Sequence, residues 1–341
     1  MELNEIIQQR IDKIKTLKDT GIEPFGRKFN RTASIKGLLS DFKDGEKVIL
    51  AGRLMAKRKH GKVCFADLRD QEARLQLYVR KDDPMPEAQF ELFNSLDIGD
   101  IVGVEGETFK THTGEPTLKV VAFTLLSKSL HPLPEKWHGL KDVQTRYRQR
   151  YIDLISNPEV KDIFAMRSKI VSCVRELLNK KGFLEVETPM MHIIPGGAAG
   201  RPFKSHHNEY DMDLYLRIAP ELYLKRLIVG GFEKIYEINR SFRNEGVSTR
   251  HNPEFTMLEL YAAYCDYEDM MNITEEIFVH VAETLFGKLK FEYQGKEIDF
   301  TPPWPRRSFA EAVKDRFDIL PDDETKVMVE KLKKKGRPVE D

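Results

Sequence analysis

The segment with the clearest potential for chemistry is residues 242–255, a charged stretch between two apolar runs. Its charged residues are Arg243, Glu245, Arg250, His251 and Glu254. An arginine guanidinium matches phosphate oxygens in shape and stays charged at any physiological pH. The segment ends in Phe255, whose aromatic face can carry a purine. Charged loops are often simply solvated, so the pattern favours a polyphosphate ligand without assigning one.

Further polar residues with a regular spacing lie on either side of this segment. Glu259 and Tyr261 alternate with Leu258 and Leu260, so in a strand the two polar side chains point to one face. Glu259 is therefore either an exposed strand residue or part of a pocket, and its apolar neighbours favour the pocket. Glu221 begins a predicted helix, where the helix dipole also favours a carboxylate.

Several helices and strands must position these residues. Residues 160–181 have the apolar spacing of an amphipathic helix and end at Gly182, a typical helix stop. The elements predicted after it are a strand at 183–188, a glycine-rich loop at 195–200, a strand at 215–218, a helix at 221–230, and strands at 234–239 and 254–262. This half of the chain is thus predicted to mix helices with strands.

The first half of the chain has the pattern of a small barrel. Between residues 47 and 127 there are five alternating strand candidates, and a helix at 86–96 separates the third from the fourth. This order is that of the OB-fold, which binds oligonucleotides on one face. Residues 46–81 contain ten basic and four acidic residues, a local excess that attracts phosphates. Phe65 and Tyr78 lie within this stretch, and they are either stacking platforms for bases or ordinary core aromatics.

Length and composition limit the remaining possibilities. The chain has 341 residues, which predicts at least two domains, and its 40% apolar content is enough to form a core. Lys+Arg and Asp+Glu are 55 each, which excludes a globally basic nucleic-acid binder. Three distant cysteines without a C-x-x-C predict neither a disulfide framework nor a structural zinc site. The polar first residues and the absence of any long apolar run predict a cytoplasmic protein without a membrane segment.

Taken together, these segments resemble the class II aminoacyl-tRNA synthetases. Residues 182–190 are similar to motif 1 of that class, and residues 242–245 with His251 and Phe255 are similar to motif 2, the ATP-binding hairpin. The OB-fold, the basic segment 146–154 and the catalytic half resemble the subgroup of lysyl, aspartyl and asparaginyl enzymes. Residues 195–198, 217–225 and 251–261 are similar to bacterial-type lysyl-tRNA synthetases. The resemblance implies an α+β fold, an OB-fold barrel followed by a catalytic domain built on an antiparallel sheet.

The resemblance also implies roles in nucleotide binding. The family joins an amino acid to ATP as an adenylate and then transfers it to the 3′ end of tRNA. Arg243 is expected to be the catalytic residue, a clamp across the α-phosphate and the attacking carboxylate. The other implied contacts to ATP are Glu245 at the adenine end, His251 at the distal phosphates, Asn252 on the nucleotide, and Phe255 stacked under the adenine.

For the amino acid, the resemblance implies a pocket for lysine. Its two amino groups are cations, and burying either requires a carboxylate or several oxygens. Glu221 and the backbone of Gly197 are expected at the α-amino group, and Glu259 and Tyr261 line the pocket. An aspartyl or asparaginyl enzyme would instead need cationic residues there, so the acidic pocket favours lysine.

For the tRNA, the resemblance assigns three barrel residues to the anticodon. Phe65 would stack on a base, Gln76 would hydrogen-bond a base edge, and Arg58 would lie on the same surface. The expected partners are therefore tRNA(Lys), lysine and ATP. A homodimer through the motif 1 region, residues 160–181, is expected as well.

The predicted domains are an N-terminal helical segment at 1–45, the anticodon-binding OB-fold at 46–128, a linker at 129–156 and the catalytic domain at 157–341. Nothing after Phe300 resembles motif 3, the glycine-rich strand and arginine-bearing helix of this class. The Mg²⁺ ligands and part of the lysine pocket are expected in that same segment, so no metal ligand is predicted here.

The missing motif predicts that this chain is an N-terminal fragment with little activity alone. Lysine-dependent ATP–pyrophosphate exchange by these 341 residues should be weak or absent, and robust exchange would contradict the prediction.

Two other functions stay open at this stage. A non-catalytic tRNA- or RNA-binding paralogue would keep the barrel and lose motif 3, but it would not need the ATP and lysine residues. A protein-modifying relative that transfers lysine would typically lack the OB-fold, so the barrel at 46–128 disfavours it.

Overall fold

The protein is described here from a computed structural model, which describes residues 3–26, 28–134 and 140–337. The chain forms two compact units, Met1–Lys161 and Asp162–Asp341. Both contain helices and strands, as predicted for the α+β class. Residues 135–139 of the predicted linker and 338–341 of the predicted catalytic domain lie outside the described residues. Within the described ranges, no helix is long and apolar enough to cross a membrane.

The first unit contains a closed five-stranded barrel. Its elements in chain order are α1 (Leu3–Asp19), α2 (Ile35–Ser40), β1 (Lys47–His60), β2 (Val63–Arg69), β3 (Arg74–Arg80), α3 (Glu87–Ser95), β4 (Ile101–Lys110), β5 (Pro116–Ser127), α4 (Val143–Arg148) and α5 (Arg150–Ser156). The strands neighbour one another in the order β1-β2-β3-β5-β4. The predicted sequence of three strands, a helix and two strands is therefore confirmed.

Side-chain alternation produces the barrel and its outer surface. In β3, Leu75, Leu77 and Val79 are fully buried in the interior, whereas Gln76 and Tyr78 are only half-buried. Successive residues of a strand point to opposite faces, so the same strand fills the core and presents polar and aromatic groups outside.

A buried group of charges lies at the end of the barrel where β4 begins and β5 ends. Lys128 Nζ is 2.9 Å from both carboxylate oxygens of Asp100 and also bonds Asp97. The Lys128 and Asp100 side chains are 1% and 0% exposed. Burial raises the pKa of Asp97, but hydrogen bonds from Lys128 and Lys13 outweigh burial and hold that pKa below its ordinary value. Arg10 of α1 bonds two carbonyls just after β5, which fixes the first helix to this end.

The basic segment 146–154 forms the short helices α4 and α5 around one buried carboxylate. Asp153 is 0% exposed and accepts hydrogen bonds from Arg146 Nε at 2.7 Å, from Arg150 and from Asn157. A buried carboxylate needs such partners to remain ionised. These arginines therefore stabilise the segment locally as well as facing solvent.

The second unit contains a small sheet covered by helices. Its elements are α6 (Glu159–Lys180), β6 (Leu184–Glu185), β7 (Met191–His192), β8 (Lys204–His207), β9 (Met212–Leu216), α7 (Glu221–Val229), β10 (Lys234–Phe242), β11 (Glu254–Ala262), α8 (Tyr267–Phe286), β12 (Lys290–Tyr293), β13 (Lys296–Asp299), α9 (Phe309–Phe317) and α10 (Thr325–Lys334). In the described part of the chain, β10 pairs antiparallel with β11 and parallel with β6, and a second sheet has the order β7-β9-β8.

The two faces of the β10–β11 hairpin have different surroundings. On one face, Tyr236 and Leu260 pack in an apolar cluster with Leu178 of α6 and Ile277 of α8. Because side chains alternate along each strand, the opposite face carries Glu237, Asn239 and Ser241 of β10 and Glu259 and Tyr261 of β11. The helices therefore cover one face, and the other face can hold a site.

Two predicted strands end earlier in the structure than predicted, and the strand predicted at 234–239 continues to Phe242 as β10. The strand predicted at 183–188 is only β6, which pairs with Ile235 and Tyr236. After Val186 the chain leaves the sheet, because Thr188 bonds the carboxylate of Glu237 instead of a neighbouring strand. The strand predicted at 215–218 is β9, which ends at Leu216.

Candidate functional site

The register of the β10–β11 hairpin brings the predicted site residues to one face. Glu259 lies opposite Glu237, and Phe255 lies opposite Ser241. Directly opposed residues in antiparallel strands point to the same face, with side chains close to each other. Tyr261 is two residues from Glu259 and shares that face, as the alternation predicted.

Glu259 is a half-buried carboxylate in an acidic environment. Its Oε2 accepts a hydrogen bond from the Tyr261 hydroxyl at 3.2 Å. Burial is the main cause that raises the pKa of Glu259, and the nearby carboxylates of Glu221 and Glu237 raise it further. Burial, together with the negative charges of Glu259 and Glu221, also raises the pKa of Tyr261 above its ordinary value. A site that disfavours its own negative charge in this way is suited to a cationic ligand.

Glu221 lies at the N-terminus of α7 with a glycine-rich loop packed against it. Its Oε1 is 2.6 Å from Lys225 Nζ, one turn along the helix, in a partly exposed pair. Gly197 has a φ of +87°, and a Cβ there would come 2.9 Å from the Cβ of Glu221. The loop backbone can therefore approach this carboxylate only because residue 197 is glycine.

Arg243 follows directly after β10 and lies over an aromatic ring. Its guanidinium carbon is 5.2 Å from the centroid of Phe255, a cation–π geometry. A Cβ at Gly200 would lie 3.3 Å from its side chain, so the glycine-rich loop also contacts this arginine. Arg243 Nε is buried and has no hydrogen-bond partner among the described residues. A buried charged donor of this kind is suited to an anionic ligand such as a phosphate.

The remaining residues that are predicted to bind the nucleotide lie in or beside the exposed loop of the hairpin. The carboxylate of Glu245 accepts from the backbone N–H of Arg201 at 3.3 Å. His251 is exposed, and its Nδ1 is 2.9 Å from the hydroxyl of Ser248. Asn252 is also exposed. The structure therefore brings Arg243 and Phe255 together, whereas His251 and Asn252 lie in the exposed loop.

The first unit carries an aromatic surface on the outside of its barrel. Phe65 and Tyr78 have ring centroids 5.4 Å apart, and Tyr78 and Phe109 have centroids 5.7 Å apart, both edge to face. A cavity of about 520 Å³ lies on these rings; Arg80, Lys110, His112 and Lys119 are among the residues that line it. We call this surface, defined by Phe65, Tyr78, Phe109 and the residues around the cavity, the aromatic trough.

The other two predicted anticodon residues have partners within the barrel. The side-chain amide oxygen of Gln76 accepts a hydrogen bond from the Thr117 hydroxyl at 3.0 Å. Arg58 lies 3.6 Å from Asp67, which also pairs with Arg74. The barrel surface thus combines basic side chains with aromatic rings, which suits unpaired bases and their phosphates.

The sequence models of known families agree with both units. Residues 142–339 match the family described as tRNA synthetases class II (D, K and N). The chain belongs to this family. Residues 48–126 match the OB-fold nucleic acid binding domain. The predicted combination of an OB-fold with a class II synthetase domain is therefore confirmed.

Curated class II synthetases show where this chain lies within the family. It is 60% identical to the lysine–tRNA ligase of Pelotomaculum thermopropionicum over 315 residues, 92% of this chain and 62% of that protein. It is 58% identical to the enzyme of that name from Carboxydothermus hydrogenoformans, covering 93% of this chain and 65% of the relative. It is 52% identical to the lysine–tRNA ligase of Bacillus subtilis, over 93% of this chain and 65% of that protein. The chain thus spans about two thirds of the length of these relatives.

Two buried residues of this synthetase domain had no predicted role. Arg217 and Glu237 have side chains that are each 1% exposed, and Arg217 Nη1 lies 2.7 Å from Glu237 Oε1. Arg217 also bonds the Thr188 hydroxyl at 3.0 Å and the Arg240 carbonyl at 2.7 Å. A possible signal was Glu237 itself, a charged residue between the apolar Tyr236 and Ile238 in a strand. Its partner could not be read from spacing, because Arg217 lies on a different element.

Proposed function

We propose that the whole protein of which this chain is part is a lysine–tRNA ligase. It forms lysyl-adenylate from ATP and lysine and then transfers lysine to the 3′ end of tRNA(Lys). The observation that carries this proposal is a group of acidic and phenolic side chains that we call the acidic face: Glu259 and Tyr261 of β11 with Glu221 at the start of α7, whose charge acts on both. The relatives described above, which carry that name, support it.

The choice of lysine follows from charge. Free lysine has two ammonium groups and one carboxylate, so a matching site needs two separated carboxylates and one cation. In our proposal Glu259 and Tyr261 bind the side-chain ammonium, while Glu221 and the Gly197 backbone bind the α-amino group. An aspartate substrate would meet uncompensated like charges in this site, a mismatch that disfavours binding.

The proposed role of Arg243 is to hold the lysine carboxylate and the α-phosphate of ATP together. Attack of the carboxylate on the α-phosphate displaces pyrophosphate, and such a displacement depends on positioning and on neutralising charge at the phosphoryl group. A guanidinium can contact both reacting anions at once. We place the adenine on Phe255 beside Glu245, and the distal phosphates near His251 and Asn252 of the hairpin loop.

Magnesium accompanies ATP in this proposal, but we assign it no ligand in this chain. Among residues 3–26, 28–134 and 140–337, no group of three or more His, Cys, Asp or Glu side chains is arranged to hold a metal ion. We further propose a cytoplasmic homodimer that contacts its partner through the motif 1 region, with domain limits as predicted from the sequence.

A titration of the 341-residue chain with amino acids tests the proposal. Lysine should shift the NMR signals of Glu259 and Tyr261 in a saturable manner, whereas aspartate and asparagine should not. Equal binding of aspartate would contradict the assignment of the pocket. A non-catalytic RNA-binding paralogue, the second candidate, is favoured by the aromatic trough alone; it would bind RNA and leave these signals unchanged.

For the first unit, we predict that Phe65→Ala weakens binding of an RNA hairpin carrying the tRNA(Lys) anticodon loop by about tenfold. Stacking of a base on an aromatic side chain contributes about 1–3 kcal/mol, and about tenfold is the lower part of that range. Fluorescence anisotropy at fixed salt measures the effect, because such binding depends strongly on salt.

Tyr151→Ala is the matched control for this substitution. Tyr151 is an aromatic residue of the same unit, 65% exposed, outside the barrel. Its removal should leave the affinity unchanged. Equal losses for the two variants, or no loss for Phe65→Ala with the barrel intact by circular dichroism, would argue against the stacking role.

A further inference from the structure

The buried pair Arg217 and Glu237 lies beside the acidic face and connects several segments. Arg217 bonds Thr188, which follows β6, and the Arg240 carbonyl in β10. Its own carbonyl accepts from the backbone N–H of Phe242, just before Arg243. A single guanidinium therefore fixes the start of α7, the end of β10 and the chain after β6 relative to one another.

A buried arginine at this position has an electrostatic cost for a cation-binding site. Arg217 is close enough to Glu259, which belongs to the acidic face, to lower the pKa of that carboxyl. A fixed positive charge there repels an incoming ammonium group. The repulsion is strong in a poorly solvated site, where charges interact over longer distances than in water.

Glu237 is positioned to cancel this charge. Its Oε1 lies 2.7 Å from Arg217 Nη1, and its carboxylate also accepts from the Thr188 hydroxyl at 2.6 Å and from Asn239 Nδ2 at 3.2 Å. It lies directly opposite Glu259 in the sheet register. Glu237 thus acts on Arg217 by direct contact and on Glu259 as its cross-strand neighbour.

We propose that Glu237 is a positioning residue for substrate charge: it neutralises the structural Arg217, so that Glu259 and Glu221 present net negative charge to the ammonium groups of the amino acid. This inference rests on the proposed lysine pocket. The charged and titratable groups that act on Glu259 are Tyr261 on its own strand, Glu237 on β10, Arg217 before α7 and Glu221 on α7.

The proposal predicts a shift of the Glu259 titration midpoint in one variant of the ligand-free 341-residue chain and its reversal in a second variant. In Glu237→Gln, Arg217 keeps its charge without compensation, so the titration midpoint of the Glu259 carboxyl should fall. In the double variant Arg217→Gln with Glu237→Gln, both charges are absent and the midpoint should return toward that of the wild type. Carbon-detected NMR of the Glu259 carboxyl measures both, and an unchanged midpoint in Glu237→Gln overturns the proposal.

Ligand binding gives the second measurement. Glu237→Gln should weaken lysine about tenfold relative to norleucine, which lacks the side-chain ammonium. Tenfold corresponds to about 1.4 kcal/mol, which is less than the roughly 4 kcal/mol between two unit charges in contact at an effective dielectric constant of about 20. Equal weakening of both ligands would show a purely structural role and overturn the proposal. The double variant should recover much of the preference for lysine.

The controls separate this inference from the proposed function. Glu254→Gln removes the same charge from β11, but Glu254 is opposite Phe242 and pairs with the exposed Arg240, so it should change neither measurement. If the wild-type chain does not prefer lysine to norleucine, the lysine assignment fails. The titration midpoint of the Glu259 carboxyl still tests whether Glu237 neutralises Arg217. If the double variant does not fold, the midpoint of the nearly isosteric Glu237→Gln remains decisive.

Discussion

Replacing Glu259 with glutamine is expected to weaken lysine binding by about thirtyfold, or about 2 kcal/mol. Removing one partner of a desolvated charge pair costs roughly 2–5 kcal/mol, and we take the lower value because Glu259 is only half-buried. The substitution keeps the shape of the side chain and the possibility of a hydrogen bond to the Tyr261 hydroxyl. The loss therefore reports on charge rather than on packing.

This effect should depend on pH with a defined sign. Burial and neighbouring carboxylates raise the pKa of Glu259, so this group becomes protonated at a higher pH than an ordinary glutamate. Because the proposed pocket needs the ionised form, lysine binding by the wild type should weaken as the pH falls through that raised pKa. Isothermal titration calorimetry at a series of pH values should show this loss of lysine affinity at low pH in the wild type and not in Glu259→Gln.

The control for this prediction is norleucine, whose affinity should be the same for the wild type and Glu259→Gln. A comparable loss for both ligands would indicate a distorted pocket. Unchanged lysine affinity in the variant would refute the assignment of Glu259 to the side-chain ammonium.

Replacing Lys128 with methionine is expected to destabilise the first unit by about 3–5 kcal/mol, the cost of leaving buried charges without their partner. Lys128 bonds Asp97 and Asp100, and both the Lys128 and the Asp100 side chains are almost completely buried. Without the ammonium group, the fully buried Asp100 carboxylate would lose its ion pair, while Asp97, which is 18% exposed, would keep Lys13. A loss of this size is a large part of the stability of a typical domain.

Urea unfolding monitored by hydrogen exchange of the barrel strands measures this loss. Lys119→Met is the matched control, since Lys119 lies on β5 and its pair with Asp83 is partly exposed on both sides. Exposed pairs contribute roughly 0–1 kcal/mol, so the control should lie close to the wild type. A loss below about 1 kcal/mol for Lys128→Met would show that the buried cluster is not held by this lysine.

The difference between Lys128→Met and the wild type should shrink at low pH. The lowered pKa of Asp97 contributes stability that is present above its unfolded pKa and is lost as the pH falls through its folded pKa. In the variant, protonation instead relieves the repulsion between Asp97 and Asp100. The two unfolding free energies should therefore approach each other on acidification.

Regular alternation made much of the fold and part of the site predictable. The burial of Leu75, Leu77 and Val79 follows directly from their spacing, and the shared face of Glu259 and Tyr261 follows from the same rule. Contacts within one strand or one hairpin depend only on local geometry, which the order of residues determines.

Contacts between distant elements were less accessible to sequence reasoning. The pair of Arg217 and Glu237 depends on how the segment before α7 lies against β10, and spacing along the chain does not specify that distance. The early end of β6 has a similar origin, because Thr188 bonds Glu237 instead of extending the sheet. The trough formed by Phe65, Tyr78 and Phe109 combines three strands, whose closure into a barrel had to be known first.

The two-faced hairpin of β10 and β11 has a consequence for how such proteins can diverge. Leu258 and Leu260 pack against the apolar cluster under the helices, whereas Glu259 between them lies on the opposite face of the hairpin, where we propose the pocket. Evolution can therefore exchange Glu259, the residue that we propose selects the substrate, while every core neighbour stays the same, since the two sets occupy alternate positions. An insertion or deletion of one residue in β11 would do the reverse, because it would move both leucines into the pocket and the carboxylate into the core. A substitution at this position can thus change specificity and preserve the core, whereas a change in strand length would disrupt both.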